Sequence, residues 1–111
     1  MNDKIVCIIS SSDAGKAFTG VAYALNAVKN QWLNDVKLCF FGPAEKILVD
    51  NEELQNMIND FKVLNGEVVA CKAIADRYAV GDKIAELNIN VEFIGKLVSD
   101  HIKEGYVPLV W

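Results

Sequence analysis

Five short apolar runs alternate along the chain with segments in which apolar residues recur every three or four positions. The runs are continuously apolar, which is typical of strands that are covered on both faces in a parallel sheet. Because strands and helices alternate, we predict an α/β fold: a three-layer α/β/α sandwich with right-handed crossovers and a mostly parallel five-stranded sheet. The predicted strands are residues 4–10, 36–41, 67–71, 91–94 and 106–111.

The helical pattern is strongest after the first strand, where residues 14–32 form one apolar face and Asp13 is a plausible N-cap. Asp50 or Asn51 is predicted to cap a second long helix, which Asn65 and Gly66 end. Shorter helices are predicted at residues 73–78, 82–87 and 96–104. The predicted buried face of the first helix consists of Phe18, Val21, Ala22, Leu25, Val28 and Trp32.

Length and composition indicate a single domain over residues 1–111, with 52% hydrophobic and 23% charged residues. The net charge of −4 argues against a nucleic-acid partner, because binding the phosphate backbone needs a basic face on the protein. The amino terminus lacks the pattern of a signal peptide, and no apolar run approaches the roughly 18 residues of a membrane helix. We therefore expect a cytoplasmic protein with no membrane partner.

Metal and nucleotide cofactors are not expected. The three cysteines have no CxxC spacing, and only one histidine, His101, could complete a metal site. The loop after the first strand departs from a Walker A motif at Ser10 and Ala17, where a glycine and a hydroxyl residue are needed. We predict that this loop is an ordinary capped turn that binds no nucleotide.

The third cysteine, Cys71, is the main candidate for chemistry. It ends the predicted third strand and precedes a helical segment, where free backbone N–H groups and the helix dipole favour a thiolate. Since ligands bind at the carboxyl ends of parallel strands, we expect an exposed, nucleophilic thiol there. Cys7 and Cys39 lie inside apolar strands and are predicted to be buried. The alternative is that Cys71 is a cysteine at the end of a strand that only packs against its neighbours.

Two cations near Cys71 are candidates for binding an anionic substrate. Lys72 follows Cys71 directly, and Arg77, the only arginine, lies six residues after it. The Cys-x5-Arg spacing is that of a cysteine phosphatase loop, but Tyr78 stands where such enzymes place a serine or threonine. The intervening residues also lack glycines, so we do not expect phosphatase activity. The other interpretation is that Arg77 is a solvated side chain at the end of a helix.

A wider pattern extends from residue 65 to residue 106. Gly66 precedes the third strand and Cys71 ends it, and Arg77 follows within a short amphipathic run. Residues 91–98 then lead from a strand into a helix, which the Glu-Gly-Tyr element at residues 104–106 closes. In this layout the chain resembles the DsrE/DsrF-like sulfur-relay family.

The resemblance implies a five-stranded α/β/α domain that assembles into homotrimers or homohexamers. It also implies that Cys71 carries sulfur as a persulfide, so that the protein is a sulfur carrier or sulfurtransferase with sulfur-donor and sulfur-acceptor protein partners. Lys72 and Arg77 would then help to bind anionic donors. The alternative is a non-enzymatic module that binds a small ligand or a protein, with Cys71 lining the crevice.

Overall fold

The computed structural model describes residues 3–111 of the chain. All five strands pair in parallel within one sheet, as the sequence predicts. The strands are β1 (Lys4–Ile9), β2 (Asp35–Phe40), β3 (Val68–Cys71), β4 (Asn90–Glu92) and β5 (Val107–Val110). Their spatial order is β4-β3-β2-β1-β5, so that β1 lies beside the last strand and β3 lies between β2 and the edge strand β4.

Helices connect successive strands and cover both faces of the sheet. Asp13 caps the first helix by accepting a hydrogen bond from the Lys16 N–H at 3.1 Å, and Asn51 caps the third by accepting one from the Leu54 N–H at 2.9 Å. Both caps confirm sequence predictions. The helices are α1 (Ala14–Lys29), α2 (Ala44–Asp50), α3 (Glu52–Val63), α4 (Lys72–Tyr78), α5 (Gly81–Glu86) and α6 (Ile94–Lys103).

Alternation along the strands divides the core into two faces. We call the side covered by α1, α2 and α3 the α1 face, and the opposite side, covered by α6, the α6 face. On β1, Cys7 belongs to the α1 face, whereas Val6 and Ile8 belong to the α6 face. The α1 face contains most of the buried side chains, including Phe40 and Phe61. The buried cluster of the α6 face consists of Val6, Ile8, Cys39, Val69, Cys71 and Ile94.

The buried surface of α1 differs from the predicted one. Phe18 is 38% exposed, and Trp32 lies beyond the helix and is 58% exposed. Small residues face the sheet instead, because the helix lies very close to it: a Cβ atom on Gly20 would come within 2.6 Å of the Ile9 side chain and 2.5 Å of Trp111. The buried residues of α1 are Ala17, Gly20, Val21, Ala24 and Ala27.

Candidate functional site

Cys71 lies where the sequence places it, at the carboxyl edge of the sheet. It is the last residue of β3, is paired in register with Glu92 of β4, and has the extended backbone of an N-cap residue before α4. Its side chain belongs to the α6 face, in the same cluster as Cys39 and Ile94. The candidate thiol is therefore positioned by three neighbouring elements of one sheet edge.

The expectation of an exposed thiol is wrong for the single chain. Cys71 is only 4% exposed, close to the 3% of Cys39 and the 0% of Cys7. Ile94 at the start of α6 and Ile74 of α4 pack into the same cluster and leave little of the thiol in contact with solvent. A reagent that reaches Cys71 must therefore displace part of this cover.

The other two thiols are poor nucleophiles at neutral pH. Burial raises the pKa of Cys7 to about 11 and that of Cys39 to about 12. Since the thiolate is the nucleophilic form, both thiols are held in the inert state. These positions match the prediction that Cys7 and Cys39 are buried parts of the core.

The structure adds a residue that sequence reasoning missed, Glu45. It stands in the first turn of α2, is fully buried, and neither carboxylate oxygen has a hydrogen-bond partner of normal geometry among the described residues. Burial raises its pKa to about 7, although the nearby backbone N–H groups of Gly42 and Cys71 lower it in part. An unpaired carboxyl group thus lies at the same sheet edge as the candidate thiol.

A local signal for Glu45 exists in the sequence. Ala44, Glu45 and Leu48 are all buried, so the glutamate occupies a position on the apolar side of α2. The tight turn before the helix brings it there, because Gly42 has a φ of +133° and its missing Cβ would lie 2.6 Å from the Ser10 hydroxyl. A charged residue in an apolar helical stripe is the pattern that points to such a group.

The two predicted binding cations are placed differently. The Lys72 ammonium pairs with Asp76 at 2.9 Å and lies 5.9 Å above the ring of Phe93. Arg77 is exposed in the last turn of α4, about 9 Å along the helix axis from Cys71 at 1.5 Å per residue. Their role in binding an anionic donor stays a prediction.

Lys72 also lines an open cleft of about 600 Å³ beside the edge strand β4. The cleft lies between α4, α5 and β4, and its polar lining includes Asp76, Asp82, Asn88 and Asn90. Two carboxylates and one lysine give this surface no excess of positive charge. This cleft lies beside Lys72, the residue after the candidate thiol, but the Cys71 side chain faces α6 instead.

The polar groups of the loop after β1 form hydrogen bonds within the chain. The backbone N–H groups of Ser10 and Ser11 both donate to the carbonyl oxygen of Trp111, at 2.8 and 3.0 Å. The Asp13 carboxylate caps the beginning of α1, where a phosphate group would have to bind. These groups are therefore already hydrogen-bonded within the chain, and the absence of nucleotide binding at this loop stays a prediction.

A second polar cluster lies at the opposite, amino-terminal edge of the sheet. The Tyr106 hydroxyl donates a hydrogen bond to Asp35, and this bond raises the pKa of Tyr106 to about 12. Lys37 bridges Asp35 and Glu67 at 3.6 and 3.5 Å, and the ring of His101 packs 5.0 Å from that of Tyr106. This cluster ties α6 and β5 to β2, and it makes His101 a packing residue.

Neither a metal centre nor a membrane span is found in the described part of the chain. Residues 3–111 contain no group of three or more histidine, cysteine, aspartate or glutamate side chains that could hold a metal ion. No helix within these residues is long and apolar enough to cross a bilayer.

Two solved structures share this architecture. A conserved protein of unknown function from Bacteroides thetaiotaomicron, BT1422, superposes with a TM-score of 0.88 at 21% identity, over 98% of this chain and 95% of that one. The ychN protein from E. coli superposes with a TM-score of 0.71 at 15% identity, over 97% of this chain and 99% of that one. No family model and no curated protein sequence matches the chain. The chain therefore shares the fold of these two proteins.

Proposed function

We propose that the protein is a sulfur carrier or sulfurtransferase in which Cys71 is the sulfur-bearing residue. The observation that carries the proposal is the placement of this thiol at the carboxyl edge of a DsrE-like sheet, as the last residue of β3. Parallel α/β sheets bind their ligands at this edge. The high pKa values of Cys7 and Cys39 leave Cys71 as the remaining thiol of the chain for this chemistry.

The proposed step is thiol exchange. The Cys71 thiolate attacks a sulfane sulfur of a polysulfide or persulfide donor and forms a new S–S bond, while the donor S–S bond breaks and its electron pair leaves on the departing thiolate. An acceptor thiolate then attacks the outer sulfur and releases Cys71 as a thiolate. Neither step needs an external oxidant, because sulfane sulfur is only passed on.

Assembly belongs to the same proposal. Val107 and Val110 of the edge strand β5 are 44% and 67% exposed, and an apolar sheet edge of this kind is suited to contact between copies of the chain. We expect a homotrimer or a hexamer built from trimers, working with donor and acceptor proteins in the cytoplasm. Trp111 is half-buried and packs 6.1 Å from Tyr23 of its own chain, so it contributes less to such a contact than its position in the sequence suggests.

Mass spectrometry after incubation with polysulfide tests the proposal. We expect the intact mass to rise by whole sulfur atoms and the modified peptide to contain Cys71. The Cys71→Ser variant should lose the adduct, whereas Cys39→Ser, the matched control on the same face, should keep it. An adduct that survives in Cys71→Ser contradicts the proposal and favours the binding module instead.

A further inference from the structure

The beginning of α6 covers the end of β3 that contains the candidate thiol. Among the strands, α6 packs principally on β3, whose Val69 and Cys71 belong to the α6 face. Leu97 and Val98 of α6 lie beside Val69, since these three side chains line one small space of the interior. One turn earlier on the helix, toward the carboxyl edge of the sheet, Ile94 is completely buried in the same cluster. Cys71 is therefore covered by the residue that begins α6.

This first turn has few of the features that stabilise the beginning of a helix. Phe93 occupies the N-cap position and accepts no hydrogen bond with its side chain, and the first turn contains no acidic residue. Gly95 has the lowest helix propensity of any residue except proline. Lys96 places a positive charge at the positive end of the helix dipole, and its ion pair with Asp100 at 2.8 Å is exposed. The turn is therefore held mainly by the packing of Ile94.

The other helices near the thiol begin differently. Asp13 and Asn51 cap α1 and α3 with side-chain hydrogen bonds, and acidic residues occupy the first turn of α3. The beginning of α4 also lacks a side-chain cap, but Cys71 is itself the N-cap residue of that helix, and Ala75 fixes α4 in the core. Movement of α4 would carry Cys71 with it, whereas movement of α6 separates the cover from the thiol.

The residues on either side of Ile94 pack loosely. Phe93 is 66% exposed, and its ring lies 5.9 Å from the ammonium of Lys72, which binds Asp76. A cation–π contact between exposed groups is weak, so it contributes little to holding the turn. Open space lies where a Cβ atom of Gly95 would stand. Ile94 is thus the residue that fixes this turn to the sheet.

We propose that residues 93–96 form a lid that unwinds from the beginning of α6 and exposes Cys71, with Ile94 as the side chain that holds it closed. Opening withdraws one buried side chain, while Leu97 keeps the rest of the helix on the sheet. A local opening of this kind costs less free energy than unfolding of the whole domain. The lid is a property of the fold, and its use in admitting a sulfur donor rests on the proposed function.

Alkylation of Cys71 by iodoacetamide, quantified by peptide mass spectrometry in the native protein, measures the opening of the lid. Gly95→Ala strengthens the first turn without a clash, because the added methyl group enters open space. We expect Cys71 to react about threefold more slowly in this variant, since alanine favours the closed, helical form. An unchanged or faster reaction overturns the proposal.

Gly81→Ala, in the first turn of α5, is the matched control. Its methyl group would lie 3.8 Å from the Ala75 side chain, which is an ordinary contact. The control strengthens a helix away from the lid, so that it should leave the reaction rate of Cys71 unchanged. Equal slowing by Gly81→Ala and Gly95→Ala would mean that Cys71 reacts through unfolding of the whole domain, which contradicts the lid.

Shortening the buried side chain should have the opposite effect. Ile94→Val removes one methyl group and should raise the rate of Cys71 alkylation about threefold, because less apolar contact is broken on opening. Ala73→Gly, at the exposed second position of α4, weakens the other helix that begins beside the thiol and should change the rate less. An equal or larger increase in Ala73→Gly, or no increase in Ile94→Val, contradicts the lid.

Amide hydrogen exchange gives a readout that does not depend on the thiol. In an α-helix the N–H groups of Leu97 and Val98 bond to carbonyl groups four residues earlier, so their exchange follows unwinding of the lid. We expect both amides to exchange faster than that of His101 and to be slowed by Gly95→Ala. Protection equal to that of His101 would contradict the lid. Neither experiment uses a sulfur donor, so a missing persulfide would refute the proposed function and leave the lid standing.

Discussion

The two faces of the sheet are built differently. The α1 face is covered by three helices and contains the largest buried side chains, such as Phe40 and Phe61. The α6 face is covered by α6 together with Ile74 of α4, and its buried cluster includes two of the three cysteines. Beside that cluster, Val110 pairs in register with Ile8 and is 67% exposed. The first face supplies most of the core, and the second combines a thinner cover with the candidate thiol, Cys71.

Because of this difference, we expect the α1 face to contribute most to stability and the α6 face to contain the reacting thiol. A cysteine can react only if its cover can open, and local opening costs less where few apolar contacts must be broken. Cys7 lies under the thick cover of the α1 face, whereas Cys71 lies under Ile94 and Ile74 at the edge of the thin one. We therefore expect the cover of the candidate thiol to open at a lower cost than that of Cys7.

Truncation of one large side chain on each face gives the largest expected effect. Phe61→Ala should lower the free energy of unfolding by about 3–5 kcal/mol, because the ring is fully buried in the α1 face. Leu97→Ala on α6 should cost roughly half as much, since its side chain is only partly buried. Urea denaturation monitored by circular dichroism measures both values. Equal losses would mean that the faces do not differ in their contribution to stability.

The buried carboxyl group predicts a pH dependence of stability. The folded state keeps the Glu45 proton up to about pH 7, whereas the ordinary pKa in an unfolded chain is 4.5. Between these values the folded protein binds more protons, so its stability falls as pH rises, by about 3 kcal/mol in all. We expect this contribution to be absent from Glu45→Gln.

Denaturation of both proteins at pH 5 and pH 8 measures this change. The stability of Glu45→Gln relative to the wild type should increase between the two values, and Glu86→Gln should show no such change. Parallel pH dependence of Glu45→Gln and the wild type would show that Glu45 is not held protonated by the fold.

The cysteines allow a finer comparison of the two faces. Cys7→Ala should cost about 1 kcal/mol or more of unfolding free energy through lost packing in the α1 face, and it should leave a Cys71 adduct in place. Cys71→Ser, at the end of a strand, should cost less but abolish the adduct. Denaturation and peptide mapping of the same samples measure both properties. A reversed order of stability losses would contradict the assignment of Cys7 to the core.

The smallest effect on stability is expected at the exposed edge of the sheet. Val110→Lys should change the free energy of unfolding by no more than about 0.5 kcal/mol, yet it should dissociate a trimer that uses this edge. Val63→Lys, at an 80% exposed valine on α3, is the matched control and should leave assembly unchanged. Sedimentation equilibrium measures the mass of each. A wild-type monomer of 12.2 kDa at micromolar concentration would contradict the assembly proposal.

The fold was predictable because its strands are continuously apolar, as the parallel sheet requires of strands such as β1 and β3. The strand order was not, since it depends on pairing between distant segments that no local pattern specifies. Cys71 could be located from the end of a strand and the start of a helix. Its burial could not, because Ile94 covers it from an element later in the chain. Glu45 was missed because its burial depends on the tight turn at Gly42, although its place among the apolar positions of α2 is a local signal for it.

Transfer of labelled sulfur tests the central claim most directly. The protein is loaded with isotopically labelled sulfane sulfur, freed of the donor and mixed with an acceptor thiol, and the label is followed on Cys71 and on the acceptor. We expect the label to lie on Cys71, to leave it as the acceptor becomes labelled, and to be absent from Cys71→Ser. Label that lies on Cys7 or Cys39, or that stays on the protein in the presence of acceptor, would contradict the account.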